Sequence, residues 1–407
     1  MKRNIYYILF TSLCLVFGVW SCEEEEGKKP LVADNTPPDP ISEVSVSNQP
    51  GGARISYSIP TNDDALYVEA TFVRNGNQVT ARSSIYKNFL DIEGLKGGQN
   101  QEVEIVVVDR SDNKSSVVKA AIEPQRSPIE KLFDSFELIE DFGGVRIRYN
   151  NEDNVRAELL LYAKDENGNL NYQQSAFIEN DDKDFHIYRG FPVETNTFGV
   201  VAVDRWDNIT DTIKAELLPL LEVELDKDFW VNVNLPSDEP PAWGTQTEGL
   251  WDLNYTWWGN GLHTDANTSG PTILPYDQYY HMFTIDLGVT AKLSRFKFFQ
   301  RVNGWQYRHG NPRRFELWGI DQLPDNASES FEGWTRLVKD GEVIKPSRLP
   351  LGELSEADIA QAASGEEYVF SIDAPNVRYI RYVTLETWSG GTFMHLNELE
   401  FFGQIEE

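Results

Sequence analysis

Cysteine is nearly missing from this chain, which has two in 407 residues, Cys14 and Cys22. Neither lies in the body of the sequence, so no disulfide framework holds this fold. Positive charge is also scarce. Lys and Arg total 36 against 65 Asp and Glu, a formal net charge of −29. Nucleic-acid affinity rests on cations that neutralise phosphates, so DNA and RNA are excluded as partners. After the N-terminal stretch no segment is apolar enough to span a bilayer as a helix. Enzyme signatures are lacking too: no Gly-x-Ser-x-Gly, His-Glu-x-x-His, Walker loop or Gly-x-Gly-x-x-Gly occurs. Glycoside hydrolysis needs only two carboxylates at a set separation, and the acidic residues leave such a pair open. What is abundant is apolar and aromatic matter, 40% and 12% of the chain, enough for two or three packed domains.

The first residues read as an export signal. Lys2 and Arg3 precede a mostly apolar run, Ile5–Trp20, that is too short to span a bilayer as a stable helix. The run ends "VFGVWSC", with Gly18 and Ser21 before Cys22, and resembles a bacterial lipobox. That resemblance implies a signal peptide over residues 1–21, which removes Cys14, and lipidation of Cys22. The alternative is a plain secretory signal with an idle cysteine. "EEEEG" follows directly, a like-charge block that must stay hydrated. It resembles the acidic export tag of surface lipoproteins in starch-utilisation-like glycan uptake systems, which implies an outer-membrane, cell-surface location. The alternative is a merely flexible spacer. Residues 22–40, including "NTPPDP", form an extended tether.

Beyond the tether one pattern occurs twice. "VVVDRSDNKS" at Val106–Ser115 returns as "VAVDRWDNIT" at Val201–Thr210, and "GGARISY" from Gly51 returns as "GGVRIRY" from Gly143. Hydrophobic residues alternate in both copies, as in Ala53, Ile55, Tyr57 and Ile59, or Val145, Ile147 and Tyr149. Turn formers such as "RNGN" and "DENGN" lie between, so each copy reads as a sandwich of short antiparallel strands. The "DRxDN" motif is expected to close a hairpin, because Asp and Asn bond nearby backbone and tolerate left-handed conformations; a solvated turn outweighs a catalytic acid pair there. With "PPDPISEVSV" leading in, both copies resemble fibronectin type III modules, placed at 41–123 and 129–218, although Tyr57 stands where that family usually buries a tryptophan. "EPQRSP", Glu123–Pro128, is the joint.

The remainder, residues 219–407, differs in character, and eight of the eleven tryptophans lie beyond Val231. "YYHMFTIDLG" and "LSRFKFFQR" alternate as strands, with Leu293, Phe296, Phe298 and Val302 directed to a core. "RRFELWG", "RYIRYVTLET" and "HLNELEFFG" continue the pattern. In this order, with "NPR" between the strands, the motifs resemble the discoidin, or coagulation factor 5/8 C-terminal, domain over about residues 245–403. The expected fold class is therefore all-β: two tandem fibronectin III/Ig-like sandwiches followed by a discoidin-like, galactose-binding-like jelly-roll sandwich. An insertion, Asp321–Pro375, departs from the family; Ser355 and Asp358 have capping-box spacing ahead of a short helix, expected as a surface excursion.

Sugars present hydroxyls and flat C–H patches, so their sites need aromatic faces and fixed polar groups. The stretch "QRVNGWQYRHGNPRRFELWG", Gln300–Gly319, offers both. The discoidin resemblance puts it at the loop end, with Asn303, Trp305, Tyr307, Arg308 and His309 at the mouth, and we expect Trp305, Arg308 and Trp388 to form the centre of the site. "TWWGNGLHT" would add Trp257, Trp258 and His263, and "ETWSGGTF" Trp388 and Phe393. The competing reading is that these rings fill the ends of the sandwich. Arg313 and Arg314 read as structural or solvated. "LWDLNYTWW" resembles the family's calcium turn, implying structural calcium on Asp252, Asn254, Thr256 and Glu398, although Leu253 replaces the usual glycine. The whole arrangement resembles accessory surface lipoproteins that capture glycans without catalysis, partnered by glycan, by the outer membrane through the lipid anchor, and by other uptake proteins. A protein–protein adhesion module and a hidden hydrolase are the alternatives.

Overall fold

The computed structural model describes residues 35–61, 64–178, 184–255 and 261–406. Cys22 and the signal and most of the tether around it lie outside the described residues, as do Thr256, Trp257 and Trp258. The fold class is all-β, as expected.

The first copy holds β1 (Ser42–Gln49), β2 (Gly52–Ser58), β3 (Ala65–Arg74), β4 (Asn77–Ser84), β5 (Phe89–Ile92), β6 (Gln101–Asp109) and β7 (Val118–Ile122). They form sheets ordered β1-β2-β5 and β4-β3-β6-β7. A short helix, α1 (Pro128–Asp134), follows the joint, started by a capping box in which the Glu130 carboxylate accepts from Ser127 N–H at 2.8 Å. The second copy holds β8 (Glu137–Asp141), β9 (Gly144–Arg148), β10 (Ala157–Lys164), β11 (Leu170–Ile178), β12 (Phe185–Arg189), β13 (Asn196–Asp204) and β14 (Ile213–Leu217). Their orders, β12-β9-β8 and β11-β10-β13-β14, repeat the first copy strand for strand. Alternation tells the same story: Ala53, Ile55 and Tyr57, like Val145, Ile147 and Tyr149, are buried. The chain divides into two compact units. One comprises Met1–Glu137, Arg148–Asp184 and Gly199–Lys214; the other comprises Leu138–Ile147, Phe185–Phe198 and Ala215–Glu407.

Both "DRxDN" motifs close hairpins through the first aspartate. Asp109 Oδ1 accepts from the N–H of Ser111 and of Asn113, each at 2.8 Å. Asp204 accepts from Trp206 at 2.8 Å and Asn208 at 3.0 Å. Asp112 and Asp207 take the left-handed conformation, at φ 62° and 60°. The carboxylates themselves are buried rather than solvated, since the backbone amides replace water around them.

The second unit is dominated by a nine-stranded sheet. Its strands are β15 (Val223–Glu224), β16 (Val231–Asn232), β17 (Leu262–His263), β18 (Met282–Gln300), β19 (Pro312–Ile320), β20 (Thr335–Glu342), β21 (Glu366–Val369), β22 (Val377–Thr387) and β23 (His395–Ile405). β18 serves two neighbours in succession. Met282–Asp286 pairs mainly with β22, the ladder shifts before Ala291, and the rest runs along β23 to Gln300. Gly288, at φ 74°, lies inside that shift, where a Cβ would come within 2.6 Å of the Phe229 carbonyl oxygen. A further bulge between Leu293 and Arg295 switches the strand's parity. That is why Leu293, Phe296 and Phe298 all reach the core although their numbers do not alternate. Val302 is only partly buried.

The insertion carries the expected helix, α2 (Glu356–Ser364), with Ser355 and Asp358 in a reciprocal capping box. It is more than a surface excursion. β21, at the end of the insertion, pairs with β18, and Glu366 is buried against the loop that leaves β18.

Candidate functional site

The loop from β18 to β19 is built around Asn311, which is fully buried. Its carboxamide oxygen accepts from Arg301 N–H at 2.9 Å, and its Nδ2 donates to the carbonyls of Trp305 at 2.7 Å and Arg301 at 3.0 Å. So bracketed, the loop holds Asn303, Tyr307 and His309 at positive φ, 58°, 50° and 55°, a costly geometry that persists only where surrounding bonds impose it. Backbone bonds then join it to the β22–β23 loop: Trp388 N–H to Asn311 O at 3.1 Å, Ser389 N–H to His309 O at 3.1 Å, and His395 N–H to Gly310 O at 2.8 Å. Gly310 permits this approach, because a Cβ there would lie 2.7 Å from the Phe393 ring and 2.8 Å from His395.

These ties gather one aromatic cluster. His263 stacks on His395 with centroids 4.2 Å apart, and His309 lies 4.9 Å from His395. Phe393 meets His309 edge-on at 5.3 Å, and Trp305 meets it at 5.6 Å. The Arg301 guanidinium sits 4.2 Å over the Trp305 ring, a contact that stiffens the indole. Trp305 and His309 are exposed, Trp305 at 38%, whereas His263 and His395 are buried beneath them. Burial, with Arg301 adding to it, pulls His263 down to about 4; burial, then His263, pulls His395 to about 2; His309 is lowered by burial and Arg301. At neutral pH the rim therefore presents uncharged rings with N–H groups, able to stack on an apolar face and to bond a hydroxyl.

Other expected members lie elsewhere. Tyr307 is buried, not at the mouth: its hydroxyl donates to Glu366 at 3.0 Å and its ring backs Trp388 at 5.6 Å. Arg308 is turned to the insertion, where Nη2 donates to the Gly352 carbonyl at 2.6 Å. Trp388 is half-buried against the core, with Arg313 5.6 Å from its ring centre. The three residues expected at the centre are thus separated: Trp305 stays at the surface, Arg308 props the insertion, and Trp388 packs behind the loop. Asn303 is exposed in the loop.

Sequence reading passed over Asn311, Arg301 and His395, which build this rim, and Trp243, on a turn tied to the strand of His263. Trp243 is 77% exposed and occupies a tight turn with φ 59°, followed by Gly244 at φ 80°. Positive φ at both central positions marks a type I′ turn, where Asn, Asp or Gly is usual and a tryptophan is strained. The turn is pinned to β17: Ala242 N–H donates to His263 O at 2.7 Å, and Thr245 Oγ1 accepts from His263 N–H at 3.1 Å. The backbone of the turn that carries the exposed indole is thus tied to the strand of His263. "PPAWG" was the available signal, a tryptophan between Pro-Pro and Gly where no core is expected.

At the turn resembling a calcium site, one expected ligand is bonded to a lysine. Glu398 is fully buried, and its Oε1 accepts from the Lys227 ammonium at 2.6 Å. Burial pushes its carboxyl up to about 7, against the pull of Lys227. Asp252 is exposed and accepts from Asn254 N–H at 2.9 Å, and Leu253 takes the left-handed conformation at φ 64°. Among the described residues no group of three or more His, Cys, Asp or Glu could hold a metal ion. A calcium ion some 4 Å from the ammonium would meet about 8 kcal/mol of repulsion at an effective dielectric constant near 20. Of the four positions that the resemblance implies, Glu398 is bonded to Lys227, Asp252 accepts from Asn254 N–H, and Thr256 lies outside the described residues.

Three family models match the chain, all described as domains of unknown function: DUF4959 over residues 38–124, DUF5126 over 125–228 and DUF5000 over 251–403. A search of curated proteins gives no match. Among solved structures, the C-terminal domain of a chitobiase from Bacteroides fragilis is similar at 15% identity, with 46% of this chain and 100% of that one covered and a TM-score of 0.27. The GH31 CBM32-2 module bound to GalNAc is similar at 12% identity, with coverages of 42% and 95% and a TM-score of 0.26. A SusE-like protein shares 30% identity over 69% of this chain and 100% of its own length, with a TM-score of 0.45. On that sequence identity, running the full length of the relative, the chain belongs to the SusE-like protein family.

Proposed function

We propose that this chain is a non-catalytic glycan-binding protein of the cell surface, anchored in the outer membrane by lipid on Cys22, with residues 22–40 as tether, the modules at 41–123 and 129–218 as spacer, and residues 219–407 as the carbohydrate-binding domain. The observation that carries this reading is the rim: Trp305 stands exposed on a loop pinned by Asn311 and meets His309, which also meets Phe393, and a second exposed indole, Trp243, sits on a turn whose backbone is tied to the strand of His263. Flat rings held half in water suit the C–H face of a pyranose, and the imidazole N–H groups suit its hydroxyls. A shallow site of this kind binds weakly, at Kd in the μM to mM range, about −4 to −8 kcal/mol. Many copies on one membrane would raise retention through effective concentration.

The test is a glycan array with the purified chain, followed by affinity-gel retention of Trp243→Ala and Trp305→Ala. The expected result is binding to at least one glycan class, weakened about tenfold by each substitution, since base- or sugar-sized stacking contacts carry roughly 1–3 kcal/mol. Retention that free sugar fails to compete would favour an adhesion role toward proteins. Release of reducing ends would favour a hydrolase. Loss of membrane association in Cys22→Ala tests the anchor.

A further inference from the structure

We infer that the Lys227 ammonium is the structural cation of the turn at Glu398: the C-terminal sandwich carries in its own side chain the positive charge that a metal ion would otherwise bring, and it holds its last strand without calcium. The geometry is that of a clamp. Lys227 opens a 3-10 turn, Lys227–Phe229, in the segment that enters the sandwich, whereas Glu398 lies in β23, 171 residues later. The entering segment already pairs with β23 through Val223–Gly403 and Glu224–Phe402, and Leu225 N–H donates to Phe401 O at 2.8 Å. The ion pair finishes that seam from inside, where Lys227 is 9% and Glu398 0% exposed.

The surroundings suit a cation. The ammonium lies 5.6 Å from the ring centre of Tyr255 and 6.0 Å from that of Trp230, with Glu224 at 3.9 Å. The nearby turn is closed by contacts that do not pass through an ion. Tyr255 OH donates to Glu400 at 2.8 Å, Asn397 Nδ2 donates to Tyr255 O at 3.4 Å, and the Tyr255 ring meets Phe299 at 4.6 Å. A buried carboxylate keeps its charge only beside a partner of this sort, so removing the ammonium leaves a lone acid in the core.

The experiment uses the full chain. Thermal unfolding at pH 7.5 is compared in chelator and in millimolar calcium chloride, with calcium binding followed by titration calorimetry. The expected result is the same Tm in both and no calcium bound. A Tm raised by calcium, or one calcium bound per chain, overturns the inference without any variant. Lys227→Met is expected to lower Tm by several degrees and Glu398→Gln in that background to recover part of the loss. Should Lys227→Met fold and melt like the parent, the lysine is not the structural cation. If the variant fails to fold, the comparison of the parent with and without calcium still decides.

Discussion

The Asp-Arg-x-Asp-Asn turns of the paired modules and the rim loop of the C-terminal sandwich rest on the same device: a buried Asp or Asn whose side chain bonds the backbone of its own loop. Asp204 gathers Trp206 and Asn208, as Asn311 gathers Arg301 and Trp305. What differs is where the aromatic residue goes. In the second module's turn Trp206 is spent on packing. Its ring covers Gly94 of the first module so closely that a Cβ there would fall 2.5 Å away, Arg205 stacks on it at 4.1 Å, and Asn208 Nδ2 donates to the Gly94 carbonyl at 3.1 Å. The first module has Ser111 at the same place in the motif. In the rim loop Arg301 lies 4.2 Å over the Trp305 ring and His309 meets it at 5.6 Å, yet the indole stays 38% exposed. A rigid turn is thus no sign of function by itself; a rigid turn that holds an aromatic face in water is.

Three measurements would break or sharpen this contrast. The largest effect is expected from acid. His263 and His395 titrate in the fold at about 4 and about 2, below the ordinary 6.5. The unfolded chain therefore binds more protons below pH 6.5, and stability present above that value is lost as pH falls toward 4. At pH 5 the loss is about 2 kcal/mol for each ring. Urea unfolding at pH 7.5 and 5 should show it, and His395→Gln should shrink the difference. An equal loss in that variant would mean that the rings are not held neutral.

Next, Asn311→Ala strands several buried backbone groups and should cost about 3 kcal/mol, with the rim loop losing its shape. If the variant keeps parental stability, Asn311 does not bracket the loop. Smallest is Gly94→Ala, which meets the Trp206 ring and must hold φ at 78°. It should cost about 1–3 kcal/mol, seen in thermal unfolding of the chain, and Trp206→Ser in the same background should relieve the clash. No relief would mean that the indole is not what the glycine accommodates.

Much of the framework was legible along the chain. Alternating residues marked the strands, the repeated motifs marked two copies of one fold, and the Ser355–Asp358 spacing marked the start of α2, because each of these bonds runs between residues a few positions apart. The rim was legible only in part. Trp305, His309, Phe393 and His263 do meet, whereas Tyr307 and Trp388 turn inward and Arg308 turns to the insertion. A loop with several left-handed residues does not follow the side-chain periodicity that makes a strand readable, so the direction of each side chain in it was set by the bonds of Asn311.

The sequence by itself determined the all-β class, the order of modules and the residue types available to a sugar, since hydrophobic period and local hydrogen-bonding motifs depend on spacing alone. Only the tertiary structure decided which distant groups meet: His263 on His395, Trp243 beside β17, and Lys227 on Glu398. Those meetings depend on strand register and on the bulges and bend of β18, and a one-residue slip in any of these would send the same side chains to the opposite face.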